Sequence, residues 1–460
     1  MKPRNCVAGT SNLRLVPRVL HSAPPEGRGE RMTFARSIGR WAMTGLVINC
    51  IIGSGIFGVP GELNRLLGRA SPIAMIAGAL AVVFIIAPTA EVASQFSEPG
   101  GAYLYARSGF GRFAGLQVGW FQLLAIIGAT AANANLFVVY LAGFLSRAGH
   151  GLPRVLFLSA LICVPAVVNY LGARSGAGLS SVLVVAKLLP LVLLIFVGVA
   201  RFGRHFALIH FAQITAPGVS PWLLALVLMV FSYTGFEYAI IPSGEVKNPR
   251  RTLPFALAAS ILLVMVVYTL LQFVTVATIG TSASPRPVAE IASVLLGHRG
   301  AILIGIAVLV STGGFVSSVM LHGPRLAYSM AAQGEFPRSL GSLHPRFRTP
   351  HVAIAGYAAL VWLLAVTGGF LWAVVLSTAA SAIVYASICG ALIQLRRHSP
   401  HADALRVPLG RAIAAGGILI SAALLTQLDR LGTILMCATA IVAAANWWVT
   451  QRRTAQPPGI

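Results

Sequence analysis

Long apolar runs separated by short polar stretches make up most of the chain. Segments such as PIAMIAGALAVVFIIAPTA, Pro72 to Ala90, and the run from Leu253 to Gly280 are long enough to cross a hydrocarbon core of ~30 Å as helices. The short alternating segments that mark an outer-membrane barrel are absent from the sequence. Read run by run, the pattern predicts about twelve spans, at 42–66, 72–96, 114–145, 154–171, 179–200, 221–244, 253–280, 300–332, 351–368, 371–395, 408–428 and 431–450. The expected class is an all-α membrane protein with both termini on one side.

Composition agrees with that reading. Hydrophobic residues make up 57% of the 460 and charged residues 10%, with a mean hydropathy of +0.82, whereas soluble domains carry about a quarter charged residues. A formal charge of +23 would suit nucleic acid if it were clustered on one face. Its distribution argues otherwise. With the N-terminus placed in the cytoplasm, 24 of the 34 Lys and Arg fall on the cytoplasmic side and nine on the other, with Lys187 left inside the membrane. This positive-inside bias accounts for the charge, puts both termini in the cytoplasm, and makes the lipid bilayer of a cytoplasmic (inner) membrane the partner instead of nucleic acid.

Residues 1–35 are basic, polar and rich in Pro and Gly, and are expected to form a disordered cytoplasmic tail, with Met32 a candidate start. The five cysteines show no C-x-x-C or Cys/His spacing, and the histidines sit mostly in loops or at span ends, so no metal site and no cofactor is expected. Only 11 acids are present, mostly in loops, too few to converge as acid/base pairs in the spans. The chain is therefore expected not to be an enzyme.

The stretch GSGIFG, Gly53 to Gly58, spells the G-x-G-x-x-G of dinucleotide sites. Such a site needs a strand before it, a helix after it and an acid ~20 residues on; here the glycines interrupt an apolar span, and Ile73 to Gly78 hold no acid. Gly53, Gly55, Gly58 and Pro60 instead weaken a membrane helix near its middle, and freed backbone groups at that depth must line a cavity or be buried in protein. The amides of Ser54, Gly55 and Ile56, at the positive end of a half-helix, suit a carboxylate. The carbonyls of Cys50, Ile51 and Ile52 suit an ammonium. A plain kink or a small-residue packing face is the other reading of the same glycines.

A second interruption weighs against a plain kink. Span six carries Gly235 near its middle, then Glu237, Pro242 and Gly244. Paired broken helices in corresponding places of two halves point to a transporter's substrate site. Span one opens spans 1–5 and span six opens spans 6–10; an odd number of spans per half gives the halves opposite topology. The expected domains are the tail 1–35, a first five-helix repeat 36–200, a second, inverted one 201–395, and two accessory helices with a short cytoplasmic tail 396–460.

Four stretches carry a resemblance: IIGSGIFGVPG (51–61), AEVASQFSEPGGAYLYARSGFG (90–111), FSYTGFEYAIIPSGEVKNPRRTLPFAL (231–257) and HGPRLAYSMAAQGEFPRSLGSLHPRFRTPHVAI (322–354). Together they resemble the amino acid–polyamine–organocation (APC) transporter superfamily. The resemblance implies two inverted five-helix repeats, alternating access, and an amino acid or related amine held between spans one and six. By position, Ser54 and Gly55 would bind the α-carboxylate, while the carbonyls of Ile51, Phe231 and Thr234 would receive the amino group. Phe231 and Phe236 would flank the substrate as aromatic gate residues. Some relatives have tryptophan where Phe231 stands and grip cationic side chains, so substrate identity does not carry across.

Three charged residues complete the expectations. Glu237 lies just past the second break, where an isolated charge is costly; it is read as a proton-sensitive gate residue or as a structural carboxylate tying down the broken helix. Glu91 is read as a partner for loop arginines closing the inner gate, or as a solvated helix end. Lys187, by position, resembles the lysine that replaces a sodium ion in sodium-independent members. It would bridge carbonyls of span one near Gly53 and hydroxyls of span eight, with Ser317 and Ser318 the candidates, and proton loss from it would couple proton flow to gating; the alternatives are a permanently charged strut between the repeats and a lysine snorkelling to the nearer interface. The expected function is a secondary transporter moving an amino acid, a neutral one favoured, by proton-coupled symport or exchange. A cationic amino acid or polyamine antiporter is the alternative, and a homodimer is left open.

Overall fold

The computed structural model describes residues 38–96, 101–172, 177–202, 218–239, 246–280, 284–398 and 405–455. The tail 1–35, with Met32, therefore lies outside the described residues, as does Glu245. Among those described the chain is helical, and its one strand-like feature is an isolated bridge between Ile38 and Val246. The first span is two helices, α1 (Arg40–Ile51) and α2 (Gly55–Leu67), followed by α3 (Ser71–Gln95), α4 (Gly101–Phe110), α5 (Arg112–Leu141), α6 (Gly151–Tyr170) and α7 (Ala177–Phe202). The second group opens on another interrupted span, α8 (Val219–Tyr233) and α9 (Phe236–Ala239), and continues with α10 (Pro249–Ile279), α11 (Pro287–Ala332), α12 (His351–Thr367) and α13 (Phe370–His398). The chain closes with α14 (Gly410–Leu425) and α15 (Arg430–Ala455).

Among the described residues, eight helical stretches are long and apolar enough to cross a membrane, and two apolar helices, α12 and α14, are shorter. Helices overlie the segments expected from the apolar runs, with two additions. Helix α4 falls in a stretch with no predicted span: it is amphipathic, and buries Ala102, Tyr103, Tyr105 and Ala106 while Arg107 stays on its polar side. Helix α11 starts earlier than the expected span because a short helix before Gly297 runs into it, the two joined at Gly297 with φ of 71°, a backbone conformation in which glycine has no steric cost.

Burial separates the helices into two kinds. Helix α5 is the inner post: Asn133, Asn135, Gln122 and Thr130 are all buried on it, and Gly128 lets α13 approach until a Cβ there would stand 3.1 Å from Ser377. Most of its polar groups find partners inside the protein, as low dielectric requires: Thr130 bonds Tyr357 at 2.8 Å and the Ile126 carbonyl at 2.8 Å, and Asn135 accepts from Arg154 at 2.6 Å, while Gln122 Oε1 is buried without a hydrogen-bond partner among the described residues. Helix α6 by contrast exposes Leu152, Leu156, Val164, Val167 and Val168. An apolar helix with an apolar exposed face is matched to hydrocarbon, not water.

Candidate functional site

Each interruption is a few residues of non-helical backbone between two helices. Helix α1 ends at Ile51; Ile52 turns out of the helix with ψ of 87°, and α2 restarts after Ser54. Helix α8 ends at Tyr233; Thr234 is extended, with ψ of 172°, and Gly235 takes φ of 110°, where any Cβ is strained. The two interruptions lie against each other. A Cβ at Gly235 would overlap the Cys50 carbonyl, and one at Gly55 would stand 2.7 Å from the Cα of Ser232. Both glycines thus have a packing reason: backbone meets backbone where the spans cross.

Close approach leaves the backbone groups at the first break in reach of few partners, and those partners come from far along the chain. The Ser54 N–H donates to Asn133 Oδ1 at 2.9 Å, and Asn133 is anchored through its own amide to the Ala129 carbonyl at 2.9 Å. The amides of Gly55 and Ile56, the first two of α2, have no acceptor within their own helix. The Ser54 hydroxyl is buried with no hydrogen-bond partner among the described residues. On the other side, the Ile51 carbonyl accepts from the Gly53 N–H at 2.9 Å, and the Lys187 ammonium donates to the carbonyls of Ile52 at 3.0 Å and Asn49 at 3.4 Å. Lys187 is 2% exposed.

The second break is closed by its own sequence. Glu237 is buried; its Oε2 accepts from the Gly235 N–H at 2.9 Å and its Oε1 from the Tyr385 hydroxyl at 2.9 Å. The Phe231 carbonyl accepts from both the Thr234 hydroxyl, at 2.8 Å, and the Thr234 N–H, at 3.3 Å. Phe236 is buried and stacked on Tyr385, with ring centroids 5.9 Å apart, while Phe231 keeps a small exposed fraction.

A narrow cavity of about 40 Å³ opens beside these breaks, lined by Asn49 and Cys50 of α1, Lys187 of α7, Tyr238 of α9, and Ser318 and His322 of α11, among others. Ser318 therefore shares a cavity with Lys187, whereas Ser317 is exposed and does not line it. Glu91 is buried near the end of α3 and takes a bidentate ion pair from Arg396 of α13, both contacts 2.6 Å, together with the Val407 N–H at 2.8 Å. A second ionic group joins α4 to the segment after α11: Arg107 meets Glu335 at 3.1 Å and Tyr103 at 2.8 Å. Burial and the Glu335 carboxylate push the Tyr103 hydroxyl well above its ordinary range, so it stays a donor, to Gln333 at 2.9 Å. Among the described residues no three of His, Cys, Asp and Glu gather as a metal site requires.

Sequence reasoning passed over Asn133, Tyr385, Arg396 and His322. Asn133 carried a usable signal, since a carboxamide inside the apolar run IIGATAANANLFVV must find a partner at membrane depth. Tyr385 and Arg396 carried none, because a tyrosine in a span and an arginine at its end are ordinary.

Comparison with known proteins adds to this geometry. A family model described as amino acid permease matches residues 38–458. The serine/threonine exchanger SteT of Bacillus subtilis (strain 168) is 30% identical over 336 residues, 69% of this chain and 74% of the relative. The branched-chain amino acid permease BcaP of the same organism is 29% identical over 363 residues, 73% and 75% of the two chains. An arginine/agmatine antiporter of Chlamydia pneumoniae is 24% identical over 414 residues, 85% of each chain.

Proposed function

The chain belongs to the amino acid permease family, within the APC superfamily, and from that premise we propose that it is a secondary active transporter moving a neutral amino acid across the cytoplasmic membrane by proton-coupled symport or exchange. In this reading α1 with α2 is span one and α8 with α9 is span six, each opening one of two inverted five-helix repeats. Helices α14 and α15 are the accessory pair of twelve spans, with both termini cytoplasmic. The observation that carries the proposal is the pair of interruptions set against each other, with a buried lysine on the carbonyls of the first.

The roles follow from the donors and acceptors on hand. The amides of Gly55 and Ile56 and the buried Ser54 hydroxyl receive the substrate carboxylate, at the positive end of α2. The carbonyls of Ile51, Phe231 and Thr234 receive the ammonium; the Ile51 carbonyl keeps a lone pair beyond its present partner, and the Phe231 carbonyl, which already accepts from the Thr234 hydroxyl and N–H, gives one of these up during turnover. Phe231, with its exposed fraction, caps the substrate, and Phe236 fixes the second break through Tyr385. Lys187 holds the first break while charged and releases it on losing its proton, which couples protons to gating. Glu237 is a gate residue that also caps Gly235, and Glu91 closes the inner end of the bundle through Arg396.

A neutral substrate is favoured over a cationic one because the acid nearest the breaks, Glu237, is already held by Gly235 and Tyr385. A cationic side chain would have to strip it of both. The relatives named for neutral amino acids also match at higher identity than the arginine/agmatine antiporter. The test is uptake of serine, leucine and arginine by liposomes containing the purified protein, with and without an inward proton gradient. Gradient-driven accumulation of serine or leucine but not arginine is expected; arginine uptake exchanged against an internal amine would replace this reading with the antiporter. A thermal-shift screen supplies a second readout, since a ligand at 100 times its Kd stabilises by ~2.7 kcal/mol.

A further inference from the structure

His322 has no place in the roles above, yet it faces the same cavity as Lys187. It sits on α11 one turn beyond Ser318, and its Nδ1 lies 2.8 Å from the Ser318 carbonyl. A carbonyl only accepts, so Nδ1 must carry a proton, and in the neutral ring that leaves Nε2 as a base. Helical hydrogen bonding thus presets the tautomer of this imidazole. Lys187 spends two of its three N–H donors on the Ile52 and Asn49 carbonyls, which leaves one for the cavity the two residues share. That cavity, about 40 Å³, has room for roughly three waters when one needs about 10–15 Å³, and Asn49, Ser318 and Tyr238 give those waters polar partners on its walls.

We propose that His322 is the proton acceptor for Lys187, relaying its proton through water in this cavity to the cytoplasm. The proposal rests on the proton-coupled reading of Lys187 above. The step is a transfer between two bases. An N–H bond of the Lys187 ammonium breaks, its proton passes along the water chain, and a new N–H forms at His322 Nε2. The imidazolium, still bonded to the Ser318 carbonyl through Nδ1, then gives up the Nε2 proton to cytoplasmic water and returns to its starting tautomer. The uncharged Lys187 is a weaker donor to the Ile52 carbonyl, so the first break is loosened at the moment the proton leaves.

The groups facing His322 are compatible with that task. Lys187 from α7, the Cys50 thiol from α1 and the Tyr238 phenol from α9 line the cavity with it, α5 contributes only Ile126, and Arg325 follows on its own helix with its side chain exposed. Glu237 is not in the lining, being held by Gly235 and Tyr385.

The experiment compares full-length wild type with His322→Gln and His322→Asn in liposomes, reading both gradient-driven accumulation of the transported amino acid and its counterflow exchange without a gradient. Counterflow needs folding, binding and alternating access but no net proton transfer. The expected result is at least a tenfold loss of gradient-driven accumulation in both variants, a flattened dependence of uptake on internal pH, and counterflow within about twofold of wild type. Accumulation and pH profile like wild type overturn the role of His322 while leaving proton coupling intact. Loss of counterflow along with accumulation in both variants also overturns it, since the residue then serves binding or folding. Failure of the wild type itself to accumulate under a gradient overturns the proton-coupled reading and this proposal with it.

Discussion

The first break in the chain is closed by side chains from distant helices, Asn133 of α5 on the Ser54 amide and Lys187 of α7 on the Ile52 carbonyl. The second is closed from within by Glu237, two residues past Gly235, with Tyr385 of α13 steadying the carboxylate. The difference bears on motion. A partner on another helix can be withdrawn when the helices shift, whereas a carboxylate two residues away moves with the backbone it caps. In the proposed cycle the first break is the one whose bonding depends on how other helices shift, and the backbone of the second is held by its own carboxylate. Their glycines differ in the same sense: Gly235 is forced by both φ and contact, while a Cβ at Gly53 would meet only side chains, Asn133 at 3.3 Å and Phe315 at 3.4 Å.

The most severe test of that contrast is a methyl group at each glycine. Gly235→Ala combines left-handed strain of ~1–2 kcal/mol with overlap on the Cys50 carbonyl, worth a further ~1–3 kcal/mol, and is expected to give little folded protein in detergent. Gly53→Ala should fold with a loss under ~1.5 kcal/mol, because a carboxamide and a ring edge can shift a few tenths of an ångström. Equal thermal melts of the two variants would erase the distinction.

Next in size is the carboxylate. Glu237→Ala leaves the Gly235 N–H and the Tyr385 hydroxyl buried without an acceptor, at ~1–3 kcal/mol for such a group. Glu237→Gln keeps an acceptor and should melt within about 1 kcal/mol of wild type, a single hydrogen bond's net worth. If Glu237 gates transport, the Gln variant nevertheless changes the pH dependence of uptake; an unchanged profile would make the carboxylate a cap and nothing more.

Lys187→Ala sharpens the other side of the comparison. It is expected to abolish proton-driven accumulation and to spare part of the exchange activity, since the first break loses its removable partner but keeps Asn133. Full gradient-driven uptake by this variant in liposomes would exclude the coupling role. Asn133→Ala removes one side-chain acceptor from the start of a helix, a change worth ~0.5–2 kcal/mol. It should lower the melting temperature by a few degrees and weaken substrate binding through the loosened Ser54 amide; an unaltered melt would mean that Ser54 finds another acceptor.

Much of this was legible in the chain itself. Apolar runs of membrane length located the helices because backbone in hydrocarbon must satisfy itself locally, and GSGIFG and YTGFE located the two breaks because glycine weakens a helix wherever it falls. Lys187 stood out because a lone cation inside a span needs a reason; its ammonium donates to the Ile52 carbonyl next to Gly53. These inferences needed only the solvent and the local backbone.

The tertiary structure decided everything that depends on which helix lies beside which. Glu91 was read as a partner for loop arginines or as a solvated helix end, and it meets Arg396, 305 residues further along and just past the expected end of span ten; the sequence holds many arginines near span ends and no rule for choosing one. Ser317 and Ser318 were equivalent in sequence, but one helical step of about 100° turns Ser318 into the cavity and Ser317 outward. The glycines of the first break were read as freeing backbone for a ligand or as a small-residue packing face, and only the structure supplies the partners, Ser232 against Gly55 and Cys50 against Gly235. Local physics fixes where a membrane helix runs and where it breaks, because both are settled within a few residues; partners and facing are settled by a global arrangement of helices that no short stretch encodes.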